Sequence, residues 1–228
     1  IYNEICNFLS NQIKNKKFKA LITAGPTNEY IDPVRFITNK SSGKQGYELA
    51  KSLSKRGFET TLISGPTNLK IEDNINLIKV ETAEEMFKAT QKNLPTDIAI
   101  FSAAVADFKI EKPSTKKIKK KNLTINLEKN VDILNYVSNH NSMRPKLVIG
   151  FAAETDDLDK NANIKLMSKN CDWIIANDIS KKESGFNSDY NEVTIHYKNP
   201  KFEKEKLSLK KKSQISEEIV DRITAQIY

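Results

Sequence analysis

The chain has 228 residues, of which 37 are Lys or Arg and 29 are Asp or Glu, giving a formal net charge of +8. With 38% hydrophobic residues and two cysteines, it holds enough apolar material for a core and too few thiols for a disulfide scaffold. No segment approaches the roughly 20 consecutive apolar residues of a membrane span, and Asn3, Glu4 and Asn7 break the apolar start where a signal-peptide core would lie. A cytoplasmic protein that engages no membrane is expected.

Residues 1–14 place Ile1, Ile5, Phe8, Leu9 and Ile13 at helical spacing, and the polar NKKFK then leads into a strand. Apolar runs of strand length follow at Ala20–Thr23, Thr60–Ile63, Ile75–Val80, Ile98–Ser102, Leu147–Phe151, Trp173–Ala176 and Val193–Tyr197. Between them, Lys44–Arg56 sets Gly46, Leu49, Ala50 and Leu53 on one helical face, and Thr82-Ala83-Glu84-Glu85 is a capping box that opens a helix through Met86 and Phe87. Val131–Val137, Asp157–Lys169 and Ser216–Ile227 read as further helices. Helices alternating with nearly all-apolar strands predict an α/β fold, a mostly parallel sheet covered on both faces. Ile118–Leu127 departs from that pattern, because Leu123, Ile125 and Leu127 alternate with polar residues. It predicts a projecting β-hairpin, KIKK out and LTINL back.

His140 and His196 are the only histidines, Cys6 and Cys171 have no CxxC spacing, and no metal site built from protein side chains is predicted. In an open parallel sheet, ligands bind beyond the carboxyl ends of the strands. After the first strand a long polar excursion closes on Ser41-Ser42-Gly43-Lys44-Gln45-Gly46 at the mouth of a helix. Two hydroxyls, glycines that admit close backbone approach and a helix N-terminus suit a phosphate; the same residues also suit a plain glycine turn with a Ser cap. After the fourth strand, Ala103-Ala104-Val105-Ala106-Asp107 offers a smooth backbone for a flat group and a carboxylate for its amine or hydroxyl. Ordinary helix packing and a turn would use the same residues. Lysines crowd the thirteen residues from Lys109 to Lys121, opposed only by Glu111, and Lys165 and Lys169 lie four apart on one helix face. A second basic run, Lys201–Lys212, reads as a solvated face.

The string ITAGPTNEYIDPVRFITNKSSGKQGYELAKSLSKRGFETTLISGPT, followed by FSAAVADFK, KKIKK, VIGFAAET, IIANDIS and GFNSDYNEV, closely resembles the phosphopantothenoylcysteine synthetase family, in order over residues 19–227. The resemblance implies a single Rossmann-like ligase domain at 19–228, preceded at 1–18 by the tail of a linker helix from a flavin-dependent decarboxylase half. It implies a two-step ligation. CTP activates the carboxylate of 4′-phosphopantothenate as an acyl-cytidylate, with Mg2+ and release of pyrophosphate, and the amine of L-cysteine then displaces CMP. On this resemblance Lys117 is the active-site lysine, and Asn39 serves turnover of the acyl intermediate. The nucleotide falls to Phe101, Ser102, Ala103, Asp107, Lys117, Val131, Asp132, Ile133, Leu134, Phe151, Lys165 and Lys169, with Val131 standing where most members have Pro. Phosphate or substrate falls to Gly25, Arg35, Ser41, Ser42, Gly43 and Gly46. A homodimer joined through the hairpin is implied, with active sites drawn from both chains.

Two other readings predict different residues. A nucleic-acid module using Lys109–Lys121 would bring a helix-turn-helix, zinc-finger or RNP motif, and none is present. A dinucleotide oxidoreductase would bring GxGxxG and a later acidic residue, also absent. The basic excess is therefore assigned to small polyanionic substrates rather than to nucleic acid.

Overall fold

The structure, a computed structural model, describes residues 17–119, 123–178 and 188–227, so the helix expected at 1–14 lies outside the described residues. In chain order the elements are β1 (Lys19–Ala24), β2 (Asn28–Asp32), β3 (Arg35–Thr38), α1 (Lys44–Lys55), β4 (Glu59–Ser64), β5 (Asn76–Lys79), α2 (Ala83–Lys92), β6 (Ile98–Phe101), β7 (Phe108–Ile110), β8 (Leu127–Lys129), α3 (Ile133–Ser138), β9 (Leu147–Glu154), α4 (Leu158–Ser168), β10 (Trp173–Asp178), β11 (Tyr190–Tyr197), β12 (Glu205–Lys211) and α5 (Lys212–Ile227).

The apolar runs pair into one eight-stranded sheet of order β12-β11-β10-β9-β6-β1-β4-β5. Strands β5, β4, β1, β6, β9 and β10 are parallel, and β11 and β12 are added antiparallel at one edge. Alternate residues of each inner strand enter opposite layers, as the two-residue period of a strand requires. Ile22, Leu62, Ile100 and Ile149 meet Leu49 and Leu53 of α1 and Ile215, Ile219 and Ile223 of α5. Leu21, Ile63, Ala99, Val148 and Ile174 meet Met86, Val137 and Leu166 on the other face. Both faces being covered is why these strands carry no polar alternation. From β1 the sheet grows outward through β4 and β5, and from β6 it grows the other way. The order therefore reverses between β1 and β6, and their carboxyl ends form a topological switch point.

Three segments differ from the sequence expectation. The Lys201–Lys212 run contains the edge strand β12, of which only Leu207 is buried, and lysines on such an edge deter pairing with another sheet. Helix α5 begins at Lys212, one turn before Ser216. The short two-stranded sheet in the lysine-rich region pairs β7 with β8, Phe108↔Lys129 to Ile110↔Leu127, whereas Leu123–Asn126 forms no strand. Ile118 does not pair there because its N–H donates to Asp32 Oδ2 at 3.1 Å and its carbonyl accepts from Arg35 Nη2 at 3.1 Å. A second two-stranded sheet, β2 with β3, follows β1 directly, and β2 packs against β7. The box at Thr82 closes with Glu85 N–H donating to Thr82 Oγ1 at 3.2 Å, while the Glu85 carboxylate accepts from Glu81 N–H at 2.7 Å. Among the described residues, no helix is long and apolar enough to cross a membrane.

Candidate functional site

A cavity of about 830 Å³ opens beyond the carboxyl ends of β1 and β6. Its first wall is the start of α1. Gly43 holds φ +75°, and a Cβ there would lie 2.9 Å from Thr67 Cγ2 and 3.2 Å from Gly25 Cα. A Cβ on Gly46 would lie 2.5 Å from Ala24 Cβ and 2.6 Å from Ser102 Oγ, so only glycine lets the helix descend onto the strand ends. The N-cap of α1 is Gly43, which has no side chain to cap it, and no acidic residue sits in its first turn. Its leading N–H groups and positive dipole end face the cavity, favouring an anion by about 0.3 to 1 kcal/mol.

The floor is the strap that follows β6. Ser102 Oγ donates to Thr23 O at 2.7 Å, Ala104 N–H to Gly25 O at 2.9 Å and Ala106 N–H to Thr27 Oγ1 at 3.0 Å. These bonds stitch Ser102–Ala106 across the end of β1, and Asn39 is moored to the strap by Nδ2 donating to Ala104 O at 3.1 Å and Val105 O at 3.3 Å. Asn130 joins the strap to the next wall, its N–H donating to Asp107 O at 2.9 Å and its Nδ2 to Ala106 O at 2.9 Å. That wall carries Val131–Leu134. Asp132 caps α3 by accepting from Asn135 N–H at 2.9 Å and pairs with Lys169. Lys165 pairs with Glu154 at 3.0 Å. Ile133, Leu134 and Phe151 supply the apolar side.

Residues 15–227 match the DNA/pantothenate metabolism flavoprotein C-terminal domain. The chain belongs to that family. It is 41% identical over 226 residues to the coenzyme A biosynthesis bifunctional protein CoaBC of Haemophilus influenzae, covering 98% of this chain and 55% of the relative. Against the CoaBC protein of Bacillus subtilis it is 41% identical over 209 residues, covering 90% of this chain and 50% of that one. The chain thus spans about half the length of these relatives. The solved C-terminal domain of a CoaBC protein superposes with a TM-score of 0.76 at 37% identity, covering 92% of this chain and 95% of that domain.

Within this family member, the cavity brings together most of the residues singled out from the sequence. Asn39, Ser41, Ser42, Gly43 and Gly46 line it beside Phe101, Ser102, Ala103 and Asp107, and Val131, Asp132, Ile133, Leu134, Phe151, Lys165 and Lys169 complete the opposite side. Gly25, Arg35 and Lys117 do not line it. Gly25 stands behind Gly43. Arg35 turns its guanidinium onto Asp32, whose carboxyl it holds, with the N–H groups of Ile118, Val34 and Arg35, well below the usual carboxylate range. Lys117 is exposed on the loop next to Ile118.

Lys44, Gln45, Asn130, Asn177, Asn191 and Lys212 also line the cavity and were not singled out. Lys212 is 7% exposed, and burial together with Lys44 pushes its ammonium down to about 8. Its signal was present: Lys212, Ile215, Ser216, Ile219 and Ile223 recur at helical spacing, which places Lys212 on the buried face of α5 rather than on a solvated run. Five lysines line the cavity, Lys44, Lys129, Lys165, Lys169 and Lys212, against the two carboxylates Asp107 and Asp132. That balance selects an anionic ligand.

Proposed function

We propose that this chain is a phosphopantothenate–cysteine ligase of coenzyme A biosynthesis that uses CTP. The observation that carries the reading is the lysine-rich cavity at the switch point, bounded by the helix N-terminus at Gly43 and the strap that moors Asn39. Membership of a family whose relatives are coenzyme A biosynthesis proteins supports it.

In the first step a carboxylate oxygen of 4′-phosphopantothenate attacks the α-phosphorus of CTP. The bond to the bridging oxygen breaks, and pyrophosphate leaves with its electron pair. In the second the amine of L-cysteine attacks the acyl carbon, the acyl–oxygen bond breaks, CMP departs, and the nitrogen loses a proton. Lys165 on α4 and Lys169 just after it face the polyphosphate, with carboxylate partners they exchange for phosphate oxygens. Ile133, Leu134 and Phe151 flank the base, and Asp107 takes its amine or a ribose hydroxyl. Asn39 orients the acyl phosphate or the incoming amine. Mg2+ arriving with the triphosphate would supply charge screening.

Lys117 lies outside the cavity of its own chain, so in this reading it enters the cavity of a second copy. Tyr30, Val34, Phe36 and Ile37 on and between β2 and β3, with Phe108 and Leu127 on β7 and β8, expose an apolar surface suited to such a homodimer. The relatives are about twice as long and bear the name bifunctional. That supports fusion to a flavin-dependent decarboxylase half in a cytoplasmic protein.

Pyrophosphate release tests the reading. It should require phosphopantothenate and a nucleotide together, be strongest with CTP among the four nucleotides, and leave a trapped acyl-cytidylate when cysteine is withheld. Cleavage of CTP to CDP would overturn it.

A further inference from the structure

Helix α3 has six residues, too few to be stable by itself in water, so its place is set by what it is fastened to. It carries the cavity wall at Ile133 and Leu134, and its two ends hold Lys169, the residue that follows α4. The ammonium of Lys169 meets Asp132, the N-cap of α3, and the carbonyl of Lys169 accepts from Ser138 Oγ in the last turn. Ser138 is fully buried, and its hydroxyl is shared with Leu134 O at 2.7 Å.

Arg144 lies between α3 and β9, outside the cavity lining. Its Nε donates to Ser138 O at 2.8 Å, one of the carbonyls that the end of α3 leaves without a partner inside the helix. Nη1 donates to Pro145 O at 3.1 Å, and Nη2 donates to Asn170 O at 3.1 Å and to the two carboxylate oxygens of Asp172 at 3.0 and 3.1 Å. Asp172 is fixed in turn: Oδ2 accepts from Val148 N–H at 2.7 Å, and its own N–H donates to Val148 O at 2.8 Å. Asn170 turns the chain at φ +55°, and its Nδ2 donates to Asn139 Oδ1 at 3.0 Å. One planar guanidinium thus joins the last turn of α3, the residue after Lys169 and the starts of β9 and β10.

We infer that Arg144 is a positioning residue for the nucleotide: through Ser138 and Asn170 it fixes α3 against the end of α4 and so sets where the Lys169 ammonium stands at the cavity wall. The inference rests on the reading in which CTP is the nucleotide and Lys169 faces its polyphosphate. A phosphate oxygen that takes the ammonium from Asp132 leaves the backbone of Lys169 held by Ser138 and its neighbour held by Arg144. The side chain swings while its base stays, so no ordering of the loop is charged to binding. Lys165 pairs instead with Glu154 at the end of β9, a contact that does not pass through Arg144.

Calorimetric binding of CTP and of cytidine, without the acid, tests this in the wild-type chain, Arg144→Gln, Ser138→Ala, Lys169→Gln and the double variants that combine Lys169→Gln with each of the first two. Thermal midpoints identify any variant that fails to fold. Arg222→Gln is the control, because Arg222 pairs with Glu205 at the far edge of the sheet and its side chain is 28% exposed, as is that of Arg144. Arg144→Gln and Lys169→Gln should each weaken CTP on the order of tenfold. Ser138→Ala should weaken it by a smaller factor, and each double variant should bind CTP as Lys169→Gln alone does. Cytidine, which has no phosphate for Lys169 to meet, should bind all of them equally, and Arg222→Gln should lower the midpoint without changing CTP affinity. Effects that multiply in the double variants overturn the inference, since Arg144 would then act other than through Lys169. Cytidine weakened as much as CTP overturns it too, leaving Arg144 a general support of the wall. Unchanged CTP affinity in both Arg144→Gln and Ser138→Ala does the same, and if Arg144→Gln fails to fold, Ser138→Ala decides alone. A chain that binds CTP through Arg144 and Lys169 yet releases no pyrophosphate with phosphopantothenate overturns the ligase reading and leaves the role of Arg144 standing. A wild-type chain that binds no CTP overturns both.

Discussion

Arg35 folds back onto Asp32, donating from Nε at 3.0 Å and from a terminal N–H, while its Nη2 also reaches the carbonyl of Ile118 at 3.1 Å. Asp32, 1% exposed, accepts the N–H of Ile118 as well, so one ion pair at the β2–β3 turn grips both backbone groups of the residue that follows Lys117. Arg35, a residue expected to meet an anion, thus also positions the lysine loop.

Replacing Asp32 should release that loop. Asp32→Asn keeps the shape but removes the charge, so proteolysis within residues 112–119 should accelerate while the core unfolds at nearly the same denaturant concentration at acid pH. The sign follows from the depressed carboxyl. Its folded pKa lies below the unfolded value of about 3.9, so its stabilisation is present at neutral pH and is lost as pH falls through the folded value. The wild type should therefore exceed Asp32→Asn in stability at pH 7 and converge with it in strong acid. A constant gap across that range would show that the carboxylate charge is not what holds the turn.

Lys117→Gln should block formation of the acyl-cytidylate, and Asn39→Asp should let it form but slow its conversion. If Lys117 serves the cavity of a second copy, mixing these two variants should restore activity. Half of randomly exchanged dimers would be mixed, each with one intact site, so about a quarter of wild-type turnover should return. No recovery after verified subunit exchange would place Lys117 in its own chain's site.

The core was legible because it is local. Leu21 and Ile22 send side chains into opposite layers, and an unbroken apolar run is the mark of a strand buried on both faces. The order of the strands was not legible, since nothing in a strand states its neighbour. β12 escaped notice because its exposed lysines mask a single inward Leu207. The site divides the same way. Ser41–Gly46 and Ser102–Asp107 announce themselves as compact motifs at strand ends. Asn191 and Lys212 join them only after antiparallel β11 and α5 have folded back beside α1, a placement that no local spacing encodes.

Cys171 should behave as an inert core thiol. It is fully buried beside Ile174 and Leu166, and burial pushes the thiol up to about 12. In a Cys6→Ser background, a thiol-reactive chromogenic disulfide should label nothing in the native protein and one group per chain after unfolding. Prompt native labelling would mean that the layer between α4 and the sheet opens readily.

Gly46 offers the sharpest separation of stability from function. An alanine there would drive its methyl against Ala24 Cβ at 2.5 Å and Ser102 Oγ at 2.6 Å, an overpacking worth about 1 to 3 kcal/mol. The strain is relieved only by lifting the first turn of α1 off the ends of β1 and β6, which moves its N–H groups away from the cavity. Gly57 is the control. It holds φ +85° with nothing within 4 Å of an added Cβ, so Gly57→Ala should cost about 1 to 2 kcal/mol from the left-handed backbone alone. Denaturation midpoints of the two variants should therefore fall by similar amounts, while only Gly46→Ala should raise the KM for the phosphorylated acid. Equal KM values in the two would mean that the close seating of α1 serves packing and not anion binding.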